Sequence, residues 1–380
     1  MIKTTMSQLK SILPLYIKAN KPVMIWGGPG EGKSGVVRSV VEKMDADIQD
    51  FRLLMRDAVD VHGLPKMNAE GRMSWAYPEE MPLATDKIDR MRVVFLDELP
   101  AAATSIQTVA YQMLHERAID NTPLHENVRF IAAGNRERDG AVSNRMPTPL
   151  ANRMAHFDVQ ADIGSFLSWG HSNSMHPFVL SHLENSPQDL RVADEKEYTT
   201  SKSFRSPRAW EYASDVIREA MKGVDTITDS HISLLGDIVG SFVGTPTAAN
   251  FTGYLSVGSK LPRPNDIMEG KVNGKKFELH ECFFLGCGVL AQLSEERKAL
   301  EAKGGDQPYY ANEKFSVRVD NTLKFVRDSF EAEVLAAFLT RFIGASAYGF
   351  TPNKDSEIQR EFARWVFSGQ EGAARLLYAK

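Results

Sequence analysis

Nine consecutive residues, Gly27, Gly28, Pro29, Gly30, Glu31, Gly32, Lys33, Ser34 and Gly35, concentrate backbone freedom around one lysine and one hydroxyl. Glycines let successive N–H groups turn inward toward the oxygens of a phosphate. Lys33 would neutralise the β- and γ-phosphates of a nucleotide, and Ser34 would offer its hydroxyl to Mg²⁺. The cofactor pair this predicts is a nucleotide with Mg²⁺. A metal ion and a water still have to be held, and that takes acidic groups. "RVVFLDELP" (92–100) supplies them: Asp97 as a ligand of Mg²⁺ and Glu98 as the group that orients and deprotonates an attacking water. "NVRFIAAGN" (127–135) adds Asn135, whose amide can donate and accept beside that water.

These residues need elements that carry them to one place. "KPVMIW" (21–26) is a short apolar run, the pattern of a parallel strand buried on both faces. "SGVVRSVVEKM" (34–44) sets Val36, Val37, Val40 and Val41 on one helical face. The glycine-rich stretch therefore lies between strand and helix, where the helix N-terminus adds positive potential for an anion. Asp97, Glu98 and Asn135 each stand at the end of an apolar run, and ligands of open parallel sheets bind beside the C-terminal ends of the strands.

Glycine loop, acidic strand end, strand ending in Asn, then "MPTPLANRMAHFDV" (146–159): this order resembles the AAA+ ATPases, and within them the MoxR and dynein-related branch. "LDELPAAATSIQTVAYQMLHERAI", "AAGNRERDGAVSNRMPTPLANRMAHFDV" and "SFRSPRAWEYAS" carry the resemblance, which covers roughly residues 5 to 245. It implies that Lys33 and Ser34 fall in Walker A, Asp97 and Glu98 in Walker B, and Asn135 at sensor 1. It also implies that Arg153 reaches a neighbouring subunit's nucleotide, with Arg145 as the second candidate, and that Arg208 is the sensor-2 arginine of a helical lid. An arginine supplied in trans makes hydrolysis depend on assembly, so a homo-oligomer, a hexameric ring, is expected. The resemblance further implies chaperone-like remodelling of a protein client, in related systems often one with a von Willebrand factor A domain. Two departures stand out. Ser34 replaces the threonine common after the Walker lysine, and charged residues follow Asn135 where the best-known MoxR proteins have proline.

The whole chain sets bounds on these expectations. Its 380 residues, 43% hydrophobic and 25% charged, are ordinary globular material for two or three domains. A net charge of −4 gives no global field for nucleic acid or anionic membrane. No apolar stretch approaches the ~20 residues of a membrane span, and "MIKTTMSQLKSILPLYIKAN" shows helical spacing rather than a signal-peptide core, so a cytoplasmic location is expected. Cys282 and Cys287 sit in an apolar run and read as buried thiols. His171, His176 and His182 lack accompanying ligands at metal spacing.

Between the loop and the acidic strand, "FRLLM" (51–55) reads as a strand and "KMNAEGRMSWAY" (66–77) as a hairpin turning at Asn68 to Gly71. Its Trp75 and Tyr77 either grip a substrate chain or, the reading preferred, pack the hairpin on the core. "SVGSKLPRPNDIMEGKVNGKK" (256–276) reads as a connector or exposed hairpin, and Phe362, Trp365 and Val366 as one face of a late helix. The expected architecture is an α/β domain over 1–159 with a five-stranded parallel sheet flanked by helices, a helical lid over 160–255, and a helical C-terminal extension over 256–380. The alternatives kept in view are a nucleic-acid-associated AAA+ motor, which predicts basic axial loops, an ATP-dependent conformational switch or binding module, and a small-molecule kinase that would leave Arg153 dispensable.

Overall fold

The computed structural model describes residues 1–57, 59–120, 122–136, 139, 146–192, 197–224, 226–272, 274–302, 308–343 and 348–367, except the side chains of 199 and 365–367. Two compact units divide the chain, Met1–Asp162 with Asp194–Ser201, and Ile163–Ala193 with Lys202–Lys380.

Among the described residues the first unit contains ten strands: β1 (Ile2–Thr5), β2 (Val23–Trp26), β3 (Asp47–Arg52), β4 (Leu64–Met67), β5 (Met73–Ala76), β6 (Arg92–Asp97), β7 (Ala118–Ile119), β8 (Thr122–Pro123), β9 (Val128–Gly134) and β10 (Ala155–Gln160). Six of them form one parallel sheet in the order β1-β10-β2-β9-β6-β3. Its helices are α1 (Met6–Lys18), α2 (Lys33–Lys43), α3 (Val59–His62), α4 (Thr104–His115) and α5 (Thr148–Ala151).

Alternating side chains of the central strands feed two cores. Ile25, Val93, Phe95 and Ile131 pack with Leu9 and Leu13 of α1 and Val37 and Val41 of α2. Met24, Val94, Leu96, Phe130 and Ala132 pack with Val109 and Met113 of α4. Burial on both faces is why these strands appear in the sequence as unbroken apolar runs. On α1 the buried residues Met6, Leu9, Leu13 and Ile17 recur at helical spacing, and Thr5 closes a capping box with Gln8.

Two expectations need correction here. The sheet has six strands, not five: β1 adds an edge along β10, pairing Ile2 with Phe157 and Thr5 with Gln160. Ile2 and Lys3 are exposed, so no apolar alternation betrays this strand in the sequence. The strand expected at 51–55 instead runs from Asp47 to Arg52, in register with Arg92–Asp97, and Leu53–Met55 turn off it as a 3₁₀ segment. The hairpin β4–β5 forms with Met67 opposite Met73.

The second unit is helical: α6 (Ile163–Ser172), α7 (Pro177–Asn185), α9 (Pro207–Ala220), α10 (Asp229–Val243), α11 (Thr245–Gly258), α12 (Pro264–Met268), α13 (Leu279–Ala302), α14 (Glu313–Ser329), α15 (Ala332–Ile343) and α16 (Glu357–Phe367), with the short α8 (Glu197–Thr200) grouped with the first unit. One core of this unit runs from Ile267 to Phe362 and is rich in phenylalanine, including Phe315, Phe325, Phe330, Phe338 and Phe342. The segment 256–276 is not a hairpin: α11 continues to Gly258, and Ile267 and Met268 of α12 are buried in that core. Phe362 is buried as its spacing predicts; the side chains of Trp365 and Val366 lie outside the described residues.

Candidate functional site

Sheet order brings the chemistry together. β2, β9 and β6 are neighbours, Trp26 lies opposite Gly134, and Leu96 lies opposite Ala132. The glycine loop, Asn135 and the Asp97–Glu98 pair therefore leave one edge of the sheet side by side. At that edge the Gly27 N–H donates to Gly134 O. Gly134 has to be glycine, because a Cβ there would come within 2.3 Å of Pro100 Cδ, in the turn that follows Glu98. Gly32 ends the loop at φ +90° and caps α2 without a side chain, which leaves the first-turn N–H groups of α2 for an outside acceptor.

Within this cluster Lys33 Nζ donates to Gly27 O at 2.9 Å, Gly28 O at 3.0 Å and Asn135 Oδ1 at 2.8 Å. Asn135 Nδ2 in turn donates to Glu98 Oε2 at 3.4 Å. One amide thus links the lysine to the carboxylate. Lys33 is only 8% exposed, and burial pulls its pKa below the ordinary lysine value although Glu98, Asp97, Glu31 and Asp139 pull the other way. Glu98 takes the left-handed conformation at φ +59°, and its N–H donates to Asp97 Oδ1 at 3.1 Å.

Ser34 Oγ donates to Asp97 Oδ2 at 3.5 Å. Adjacent oxygens of a Mg²⁺ octahedron with bonds of about 2.1 Å lie about 3 Å apart, so a small approach of these two would fit the ion. The donor set, one hydroxyl and one carboxylate, is that of a hard cation.

Further groups hold this edge in place, and of them the sequence singles out Glu31 alone. Arg136, directly after Asn135, donates from Nε to Asp139 Oδ2 at 3.0 Å and from Nη1 to Asp158 Oδ1 at 2.8 Å, and it is 6% exposed. Asp158 is opposite Trp26 in β10, on the far side of β2 from β9. The guanidinium therefore spans the end of the strand that feeds the glycine loop. Its protonated form is favoured by both carboxylates over the opposing effect of burial. Glu31 of the loop accepts the N–H of Ala161, just past β10. Trp26 Nε1 bonds His156 Nδ1 at 2.9 Å, and His156 Nε2 lies 2.7 Å from Ala151 O, which ties β2 and β10 to α5. The one signal for Arg136 was the charged run after Asn135, and it registered only as a departure from relatives.

Arg153 follows α5, is exposed, and makes no side-chain hydrogen bond or ion pair among the described residues. Arg208 is exposed in α9 of the helical unit; burial and the Asp215 charge raise the pKa of nearby Glu211, and the Arg208 charge only partly opposes them. Arg145 lies outside the described residues. Tyr77 packs inward, its hydroxyl 3.1 Å from Ile119 O and 2.8 Å from Thr122 Oγ1, as the preferred reading had it. Trp75 does not: it is 39% exposed.

Comparison with known proteins bears on the same segment. Residues 23–163 match the sequence model of the ATPase family associated with various cellular activities (AAA). That stretch is similar to an AAA ATPase domain. It spans the loop, both acidic residues, Asn135 and Arg153. No curated protein sequence matches the chain. Among solved structures, a point mutant of RuvB from Thermotoga maritima is similar at 13% identity and a TM-score of 0.37, over 83% of this chain and 88% of that one. The same organism's RuvB Holliday junction branch migration motor is similar at 16% identity and a TM-score of 0.35, over 78% of this chain and 87% of that one. Likeness at this level adds nothing to what the sheet order and the AAA match already show.

Proposed function

We propose that this chain hydrolyses ATP with Mg²⁺ and works as a ring of identical subunits, a MoxR-like remodeller of a protein client. The observation that carries the reading is the Lys33–Asn135–Glu98 chain of hydrogen bonds at the C-terminal ends of adjacent strands, beside the uncapped start of α2. Incoming phosphate oxygens would take the place of the Gly27 and Gly28 carbonyls at Lys33 Nζ and meet the loop and α2 N–H groups. Ser34 and Asp97 would hold Mg²⁺, which neutralises charge on the β- and γ-phosphates when bound. Release of Lys33 would free Asn135 Oδ1 to help aim a water, with Glu98 accepting its proton.

Arg153 supports the ring, since an exposed arginine with no partner among the described residues is suited to a neighbour's phosphate. Arg208 would report the γ-phosphate from a lid spanning 160–255, with 256–380 as an extension. A protein client suits the exposed Leu64, Met67, Met73 and Trp75 of the β4–β5 hairpin, and a partner with a von Willebrand factor A domain is the kind to try first.

The test is the ATPase rate against protein concentration for wild type, Arg153→Ala, and an equimolar mixture of wild type with Glu98→Gln. A rate per subunit that rises with concentration, collapses in Arg153→Ala, and falls in the mixture by more than simple dilution supports shared sites in a ring. A concentration-independent rate indifferent to Arg153 would overturn the ring and favour a switch or a kinase.

A further inference from the structure

The helical unit contains a second gathering of polar side chains for which ATP hydrolysis has no use. His171 of α6, Glu184 of α7 and Cys287 of α13 each bring a donor atom to within 4.8 Å of the other two. His171 and Cys287 are 3% and 2% exposed. Phe283, Phe330 and Phe338 line the small cavity beside Glu184 and Cys287. We propose that His171, Glu184 and Cys287 form a binding site for one borderline-soft divalent cation, with Zn²⁺ the ion its donors fit, joining three helices of this unit.

Three observations carry this assignment. The first is the donor set. One imidazole nitrogen, one carboxylate oxygen and one thiol sulfur are the ligand types Zn²⁺ takes, whereas Mg²⁺ and Ca²⁺ take oxygen alone.

Spacing is the second. Cys287 Sγ lies 3.6 Å from Glu184 Oε2. A tetrahedral ion with Zn–S of about 2.3 Å and Zn–O of about 2.0 Å sets those two atoms about 3.5 Å apart. In the metal-free chain the thiol proton bridges them, and the same separation serves the ion.

Third is the state of His171. Its Nδ1 lies 3.0 Å from Tyr348 Oη, while Nε2 is buried with no hydrogen-bond partner among the described residues. A buried imidazole nitrogen left without a partner calls for one. With Nδ1–H donating to Tyr348, Nε2 presents its lone pair, and an outer hydrogen bond that fixes the tautomer is what metal-bound histidines have.

Arg341 sits in the same outer layer, paired with both oxygens of Glu184. On binding, Oε2 turns to the ion and Oε1 stays with the guanidinium. Zn²⁺ with one thiolate and one carboxylate is neutral, so the Arg341 charge remains as a net positive that limits affinity. The Cys287 S–H bond breaks as the S–Zn bond forms, the proton leaves to solvent, and nothing is oxidised. Water completes the tetrahedron, since no fourth donor joins the trio among the described residues.

The experiment uses the full chain, stripped with a chelator and titrated with Co²⁺, then with Zn²⁺. We expect one Co²⁺ per chain with a thiolate-to-cobalt charge-transfer band, displaced by equimolar Zn²⁺. The band is lost in Cys287→Ala and kept in Cys282→Ser and in Lys33→Ala, which separates this site from the glycine loop. Tyr348→Phe, which removes only the outer hydroxyl, keeps the band and weakens binding about 10- to 100-fold. Absence of the band in folded wild type overturns the assignment without any variant, as does its survival in folded Cys287→Ala. Undiminished affinity in Tyr348→Phe overturns the role given to His171.

Discussion

Two polar clusters in this molecule are built on opposite plans. In the α/β unit, Lys33, Ser34, Asp97, Glu98 and Asn135 stand at the ends of β2, β6 and β9 or at the start of α2, and sheet order alone makes them neighbours. In the helical unit, His171, Glu184, Cys287, Arg341 and Tyr348 come from three helices, a fourth, and a segment after it, far apart along the chain. The first cluster offers N–H groups and carboxylates to something arriving from outside. The second is enclosed in apolar packing and satisfies most of its polar atoms internally. A parallel sheet displays its chemistry along one edge, whereas packed helices assemble theirs only when the core closes.

The sharpest way to break this contrast is to damage the support of the first cluster. Arg136→Met leaves Asp139 and Asp158 without their guanidinium, and losing one member of a buried ion pair costs about 3–5 kcal/mol. The expected outcome is a lower urea midpoint, with the Co²⁺ band of the helical unit intact in the folded protein. Next in size is Lys33→Ala. It removes three hydrogen bonds at a buried site and so lowers the urea midpoint less than Arg136→Met does, while lowering the ATPase rate about 10²- to 10³-fold, the usual effect of removing one preorganised donor to a developing oxyanion; a steady-state assay under saturating Mg²⁺ reads it.

A smaller effect belongs to the helical unit. Burial, aided by the Arg218 charge, holds the His176 imidazole down at about 3. In an unfolded chain the same group titrates near 6.5. As pH falls below about 6.5 the unfolded state binds this proton first, so stability drops, and the loss levels off near pH 3. The slope from this one group is at most about 1.4 kcal/mol per pH unit. His176 Nδ1 also accepts the Phe178 N–H at the start of α7. His176→Asn keeps an acceptor there and should flatten the dependence of the urea midpoint between pH 7 and pH 5.

The same contrast explains what could be foreseen. β2, β6 and β9 are buried on both faces, so their apolar runs and polar ends were plain in the sequence, and with them the loop, Asp97, Glu98 and Asn135. The edge strand β1 was not, because Ile2 and Lys3 face solvent and only Thr4 is buried. Arg136 was passed over because its partner Asp158 is 22 positions away and belongs to a strand separated from β9 by β2. The sequence groups His171 with His176 and His182, and Cys287 with Cys282, companions that do not belong to the trio that the fold brings together. Glu184, the residue that joins them, carries no local pattern at all. Leu53–Met55 looked like strand because apolar composition cannot tell a strand from the 3₁₀ turn that leaves it.

Glu98 holds a left-handed backbone angle, φ +59°, that a side chain with a Cβ adopts at some expense. A glycine would sit there more comfortably, and a protein selected for endurance alone would drift toward one. The drift is opposed by chemistry, since the carboxylate is the group that faces Asn135. Glu98→Gly should therefore give a chain that resists heat at least as well as the native one and has lost its hydrolytic capacity. Under the proposed mechanism, position 98 is where durability and turnover pull the sequence in opposite directions.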